Sequence, residues 1–292
     1  MTQLPRVNDP AWKRSNRAFS LLEVLVSMVV FALLLVLLFE ALSQMDMVGQ
    51  TVHATTNRVD NVGIAFDMMR RDLSNALMPF EPGSTNSLQF LLSPSSNQGG
   101  VDKIQNPHSA FWQAAVASDL TAGDVAIVGY FVRLDKTELP PRTQLCRLQI
   151  DASNADFLIG KNANWLDEHI LSRNTAADPP EYAGLVVDNA IGLWMRAVDE
   201  DGNYYAMWDS REKNGKLPRA LEVVLLVVDS RTAAAHLGQL PELPAQNLTA
   251  TPQSPDAMDN EIQSYFDSLP DPLKKGARIF RTKFSIAARH SK

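Results

Sequence analysis

With 292 residues, 45% hydrophobic and 21% charged, the chain is long enough for one large domain or two small ones plus an anchor, and ordinary enough in composition to fold. The formal net charge is −6, and no basic patch is expected beyond the first 18 residues. Nucleic acid is therefore not an expected partner, because phosphate contacts need grouped Lys and Arg. Cys146, the single cysteine, excludes an intrachain disulfide and a Cys-based zinc site, and its place in an apolar stretch suits a small buried strand residue.

Residues 1–18 form a polar leader in which Lys13, Arg14 and Arg17 crowd the end. Residues 19–39 (FSLLEVLVSMVVFALLLVLLF) then run apolar, with Glu23 as their one charge and no Pro or Gly. As a helix this run is roughly 30 Å long, the thickness of bilayer hydrocarbon. Basic residues before it, with Glu40 and Asp46 after it, predict a single span with the N-terminus cytoplasmic and the remainder periplasmic. The run is too long for a removed secretory signal cut near Ala41-Leu42-Ser43, whose apolar core spans about 7–15 residues. A carboxylate inside hydrocarbon costs a few kcal/mol unless paired, so Glu23 marks more than a plain anchor.

Basic residues, Ala18, Phe19-Ser20-Leu21-Leu22-Glu23 and an unbroken apolar helix together resemble the type IV prepilin cleavage and methylation signature. The resemblance implies cleavage by a prepilin peptidase between Ala18 and Phe19, N-methylation of Phe19 and an assembly role for Glu23. It implies as partners the peptidase, other minor pseudopilins or pilins, an inner-membrane assembly platform and the lipid bilayer. Two departures suit a minor subunit better than a major pilin: Ala18 stands where the family has Gly, and Glu40 where major pilins carry a kinking Pro.

The helix is expected to continue past the membrane over 40–78. Val48, Val52, Thr55, Val59, Val62, Phe66, Met69, Leu73 and Leu77 recur in steps of four and three, one stripe of a helix that Pro79 ends. Asp67 and Arg71 are placed as an i,i+4 pair, and Arg58, Asp60, Arg70 and Asp72 read as a solvated face. Residues 19–77 would then make one helix of roughly 90 Å. Phe66, Met69 and Leu73 are expected to be deeply buried against a sheet.

A β-rich head follows over 79–292. Residues 80–100 read as a linker with a short strand at 87–92. Strands at 124–134 and 144–150 flank Pro140-Pro141 as a hairpin. A strand over 184–198 turns through Asp201-Gly202 into 204–208, a second hairpin. Residues 221–229 (LEVVLLVVD) read as a buried central strand and 278–287 as the last strand. Between them, 238–275 is a Pro-rich insertion with a short helix near 258–269. Trp208-Asp209, a polar loop and Leu217-Pro218-Arg219-Ala220-Leu221-Glu222-Val223, with the earlier Arg70-Arg71-Asp72-Leu73, resemble J-type minor pseudopilins (GspJ) and PilW-type minor pilins. A narrower resemblance is to the prepilin-like proteins of Verru_Chthon cassettes.

No site for chemistry emerges. The five histidines are scattered without i,i+3 or i,i+4 pairing, and no nucleophile elbow, P-loop or dinucleotide fingerprint is present. The run Asp199-Glu200-Asp201-Gly202-Asn203 lacks calcium-loop spacing and reads as a hairpin turn. Trp194, Tyr204, Tyr205 and Trp208 read as strand-face packing. No catalytic, cofactor or metal site is expected. The expectation is an α+β, pilin-like chain, with a long N-terminal transmembrane helix continuing into a head dominated by antiparallel β-sheet. Its function would be that of a minor pseudopilin or minor pilin of a type II secretion or type IV pilus-like filament. The alternative is a membrane-anchored periplasmic binding domain that does not polymerise.

Overall fold

No proline falls between residues 11 and 78, and the chain there forms one helix, α1 (Leu21–Ser74). The computed structural model describes residues 21–77, 90–94, 104–119, 121, 123–135, 142–154, 183–236, 238 and 248–286. The chain divides into two units, Met1–His53 and Ala54–Lys292.

In the second unit α1 buries Val62, Ala65, Met69 and Leu73, spaced three and four apart on one face, and Ala76 continues that face beyond the helix. Met69 and Leu73 are buried as expected. Phe66 is only half-buried, because it lies at the border of the face, edge-on to Phe284 with ring centroids 6.1 Å apart. The stripe members Val48, Val52, Thr55 and Val59 have side chains outside the described residues. Asp67 pairs with Arg70 at 2.5 Å, not with Arg71, whose Nε instead lies 3.6 Å from Asp72 Oδ1.

Among the described residues, ten strands form two antiparallel sheets. The first holds β1 (Phe90–Leu92), β2 (Ile104–Ala114), β3 (Ala126–Asp135), β4 (Arg142–Asp151), β5 (Ala183–Asp188) and β8 (Trp208–Asp209), in the order β5-β4-β3-β2-β1-β8. The second holds β6 (Ala190–Val198), β7 (Tyr204–Tyr205), β9 (Ala220–Val228) and β10 (Ala277–Ser285), in the order β10-β9-β6-β7. The β3–β4 and β6–β7 hairpins are those expected. In the second, Gly202 takes φ +87°, a conformation open to glycine, and Asp199 N–H bonds Asn203 O at 3.1 Å. The Asp199 carboxylate accepts from Asn203 N, Asn203 Nδ2 and Tyr205 Oη, a turn-closing role.

The strand expected over 184–198 is two strands. Asn189 adopts φ +57°, a left-handed conformation that asparagine tolerates, and the chain leaves the first sheet as β5 to enter the second as β6. The long strand β2 was not anticipated; its segment carries Pro107, His108 and Gln113 among its apolar residues and shows no clean alternation. Short helices α2 (Ser230–His236) and α4 (Asp271–Gly276) were likewise not anticipated, whereas α3 (Ala257–Ser268) lies where a helix was expected.

Every residue of β6 and β9 is buried because the second sheet has a core on each face. On one face Leu193, Met195, Val223 and Leu225 meet α1 and the first sheet. On the other, Ile191, Trp194, Val224 and Leu226 meet α2, α3 and α4 through Ala233, Ile262, Tyr265 and Leu273. This is why residues 221–228 show no polar alternation beyond Glu222.

One expectation about charge needs correction. Residues 272–292 hold seven Lys and Arg and no Asp or Glu. The cations are spaced widely enough along the chain to escape notice, and α4 and β10 bring five of them, Lys274, Lys275, Arg278, Arg281 and Lys283, onto one end of the second sheet.

Candidate functional site

Of the residues singled out for processing and assembly, Ala18 and Phe19 lie outside the described residues. Glu23 belongs to the first turn of α1, with its side chain outside them. Beyond it the apolar side chains that are described stand exposed, from Leu35 at 37% to Met28 at 69%. Counted on the described residues, no helix is long and apolar enough to cross a membrane; the 19–39 run is a property of the sequence.

At its other end α1 is held by a buried polar lock, which the sequence reading missed. Asp72, read as part of a solvated face, is fully buried. Its Oδ2 accepts from Tyr130 Oη at 2.7 Å and from Arg147 Nε at 2.6 Å. The residue sits one turn beyond Met69 and beside Leu73, within the widest part of the buried face. The partners come from neighbouring strands: Tyr130 on β3 pairs directly with Arg147 on β4. Residues 143, 145, 147, 149 and 151 share one face of β4, so Leu145 packs into the core while Arg147 reaches the helix end.

The lock extends along that row. Arg147 Nη1 donates to Gln149 Oε1. Gln149 Nε2 donates to Asp151 Oδ1 at 2.9 Å and to Val116 O at 3.2 Å. Asp151 Oδ2 in turn accepts from Ser118 N, Ser118 Oγ and Asp119 N. Backbone closes the joint from the other side. Leu77 N bonds Gln113 O at 2.9 Å, Ala115 N bonds Asn75 O at 3.1 Å, and Trp112 Nε1 reaches Asp72 O at 3.3 Å. Trp112 itself is stacked between Phe90 and Tyr130, at 5.8 and 5.7 Å.

Electrostatics fit a static joint. Burial, reinforced by the negative charge of Asp72, pushes the Tyr130 phenol far above its usual range. Burial works against the Arg147 charge, but the hydrogen bond and charge of Asp72 outweigh it and hold the guanidinium above its usual range. Nothing here presents a nucleophile beside a base: an ion pair sealed between a helix and two strands has no room for a reacting group. The aromatic residues behave as packing. Trp194 is buried against Tyr265, Tyr205 and Trp208 meet edge to face at 5.5 Å, and Arg196 lies 4.0 Å above the Tyr204 ring. Among the described residues no group of three His, Cys, Asp or Glu side chains is placed to hold a metal ion.

Comparison with known proteins bears on the amino-terminal segment. Residues 13–39 match the prokaryotic N-terminal methylation motif. No curated protein matches the chain. Among solved structures, a type IV-like pilin from Thermus thermophilus is similar at 12% identity, over 79% of this chain and 94% of that one, with a TM-score of 0.39. Residues 13–39 contain the basic leader end, Ala18, Phe19 and Glu23, so the amino-terminal segment of the chain carries a prepilin-type N-terminal methylation motif.

Proposed function

We propose that the chain is a minor pseudopilin or minor pilin, an assembly subunit and not a catalyst. Prepilin peptidase would cut between Ala18 and Phe19 on the cytoplasmic side and the new amine would be methylated. The helix would then hold the subunit in the inner membrane, with the head in the periplasm, until an assembly platform and sister subunits draw it into a filament. The observation that carries this reading is the methylation motif over 13–39. The exposed apolar side chains of α1 support it, since about 25 cal/mol per Å² of apolar surface favours covering them with lipid or neighbouring helices.

Glu23 is assigned the register. After cleavage Phe19 carries a cationic amine and Glu23 lies one turn deeper. Either charge alone in hydrocarbon is costly, and pairing the carboxylate of an incoming subunit with the amine of a neighbour offsets that cost. Mass spectrometry of the membrane form should find an N-methylated Phe19 start; an intact Met1, or a start near Gln44, would refute processing. Glu23→Ala should still insert and be cleaved yet fail to co-purify with sister subunits. Normal co-purification would remove the register role.

A further inference from the structure

The second sheet ends on β10, which pairs with β9 through nine consecutive residues without a bulge, from Ala277↔Val228 to Ser285↔Ala220. Among the described residues no strand pairs with its other edge. Sheet edges of this length are ordinarily shortened, bulged, covered or lined with charged side chains, because their open N–H and C=O groups template further pairing. Here the edge is regular, and Ile279 on it is 43% exposed.

Its charge is opposite to that of the rest of the protein. Residues 272–292 hold seven of the 27 Lys and Arg and none of the 33 Asp and Glu, which leaves the preceding 271 residues at a formal −13. Within this strip Arg281 is paired with Asp259. Among the described residues Lys275, Arg278 and Lys283 are exposed and have no carboxylate partner. Arg278 bonds only backbone oxygens, and Lys283 lies 5.7 Å from the Tyr204 ring.

From this combination we infer that the free edge of β10 is a docking site for an acidic, extended segment of a partner polypeptide, which adds to the second sheet as a fifth strand. The backbone edge supplies the ladder and the flanking cations select the sequence. A second copy pairing through the same strand is disfavoured, because it would set Arg278, Arg281 and Lys283 against like charges. A lipid surface fits less well: Arg281 and Lys283 stand on one face of the strand and Arg278 on the other, an arrangement that straddles an added strand and does not lie on a plane. The site is independent of Glu23 and of processing.

The test uses the full chain in nanodiscs of neutral phosphatidylcholine. The probe is an end-blocked nine-residue peptide of threonine and valine with glutamates at two adjacent central positions, one on each face of the added strand. Its control is the same peptide with alternate backbone nitrogens methylated. The first peptide should bind saturably and slow hydrogen exchange at the alternate β10 amides that do not bond β9. The methylated peptide should not bind. Arg278→Glu with Lys283→Glu, both exposed positions, should weaken binding at least tenfold while leaving the exchange of β9 unchanged. Equal binding of the methylated peptide, protection elsewhere than β10, or no binding would overturn the assignment. Protection of β10 by anionic phosphatidylglycerol discs without peptide would reassign the strip to a membrane surface and overturn it as well.

Discussion

Cutting the lock at Asp72 measures how strongly the helix end is tied to the head. Asp72 is fully buried and the Arg147 side chain is 10% exposed, with Nε and Oδ2 2.6 Å apart. Removing one member strands the other in a dry site. Such losses run to about 3–5 kcal/mol, far more than the worth of an exposed pair. Asp72→Ala should therefore lose about 3–5 kcal/mol, a large part of the roughly 5–15 kcal/mol available to a domain. Arg147→Met, which leaves the carboxylate without its cation, should lose a similar amount. The double variant Asp72→Leu/Arg147→Met removes both charges and keeps apolar volume, so it should recover most of the loss, with a coupling of about 2 kcal/mol or more. Urea denaturation of a fragment beginning at Ala54 would read this, followed by tryptophan fluorescence, because Trp112 bonds the Asp72 carbonyl. If either single variant unfolds within about 1 kcal/mol of wild type, or the double variant is no better than the sum of the singles, the lock is not the tie described.

Three further outcomes follow from the head. His108 is buried, and desolvation lowers its pKa from 6.5 to about 3, so the folded state resists a proton that the unfolded state accepts. Stability is thus full above pH 6.5 and falls as pH drops toward 3, by about 2 kcal/mol between pH 7 and 5; His108→Gln should flatten this slope in urea titrations, and an unchanged slope would refute it. Burial pushes the Cys146 thiol up to about 11, so iodoacetamide should label it only on unfolding, as a mass shift that tracks denaturant; prompt labelling of the native protein would contradict its burial. Leu73→Ala should cost about 2–5 kcal/mol and Phe66→Ala clearly less than the 3–5 kcal/mol of a buried Phe; thermal melts that reverse this order would show the buried face of α1 to be misassigned.

The sequence revealed elements whose pattern follows from a single local cause. The uninterrupted helix needed only the absence of Pro, and the Asp201-Gly202 turn needed only a glycine able to take positive φ. Residues 221–228 announced a central strand because almost every side chain is apolar, and the second core under α2, α3 and α4 explains why. What failed depended on tertiary context. Asp72 looks like any surface carboxylate of a helix until Arg147 and Tyr130 are brought to it from 75 and 58 residues away. The polar row Arg147, Gln149 and Asp151 alternating with Cys146, Leu148 and Ile150 was a visible signal, but the usual meaning of such alternation is one face in water. The break at Asn189 was invisible because both flanking segments are good strands, and nothing local says that they belong to different sheets.

That break carries a consequence for how the head folds. The chain builds five strands of the first sheet, crosses at Asn189 to begin the second, and returns at β8 to complete the first, where Leu91 pairs with Asp209 across 118 residues. It then goes back to finish the second sheet with β9 and β10. Neither sheet is therefore made from a contiguous stretch of polypeptide, and loop closure must be settled in both before either is complete. During synthesis, a chain that ends between β9 and β10 leaves the apolar strand β9 with an open edge, which β10 then pairs. Because the two sheets also share one core, they are expected to unfold in one transition and not two, which coincident denaturation curves from probes in each sheet would show.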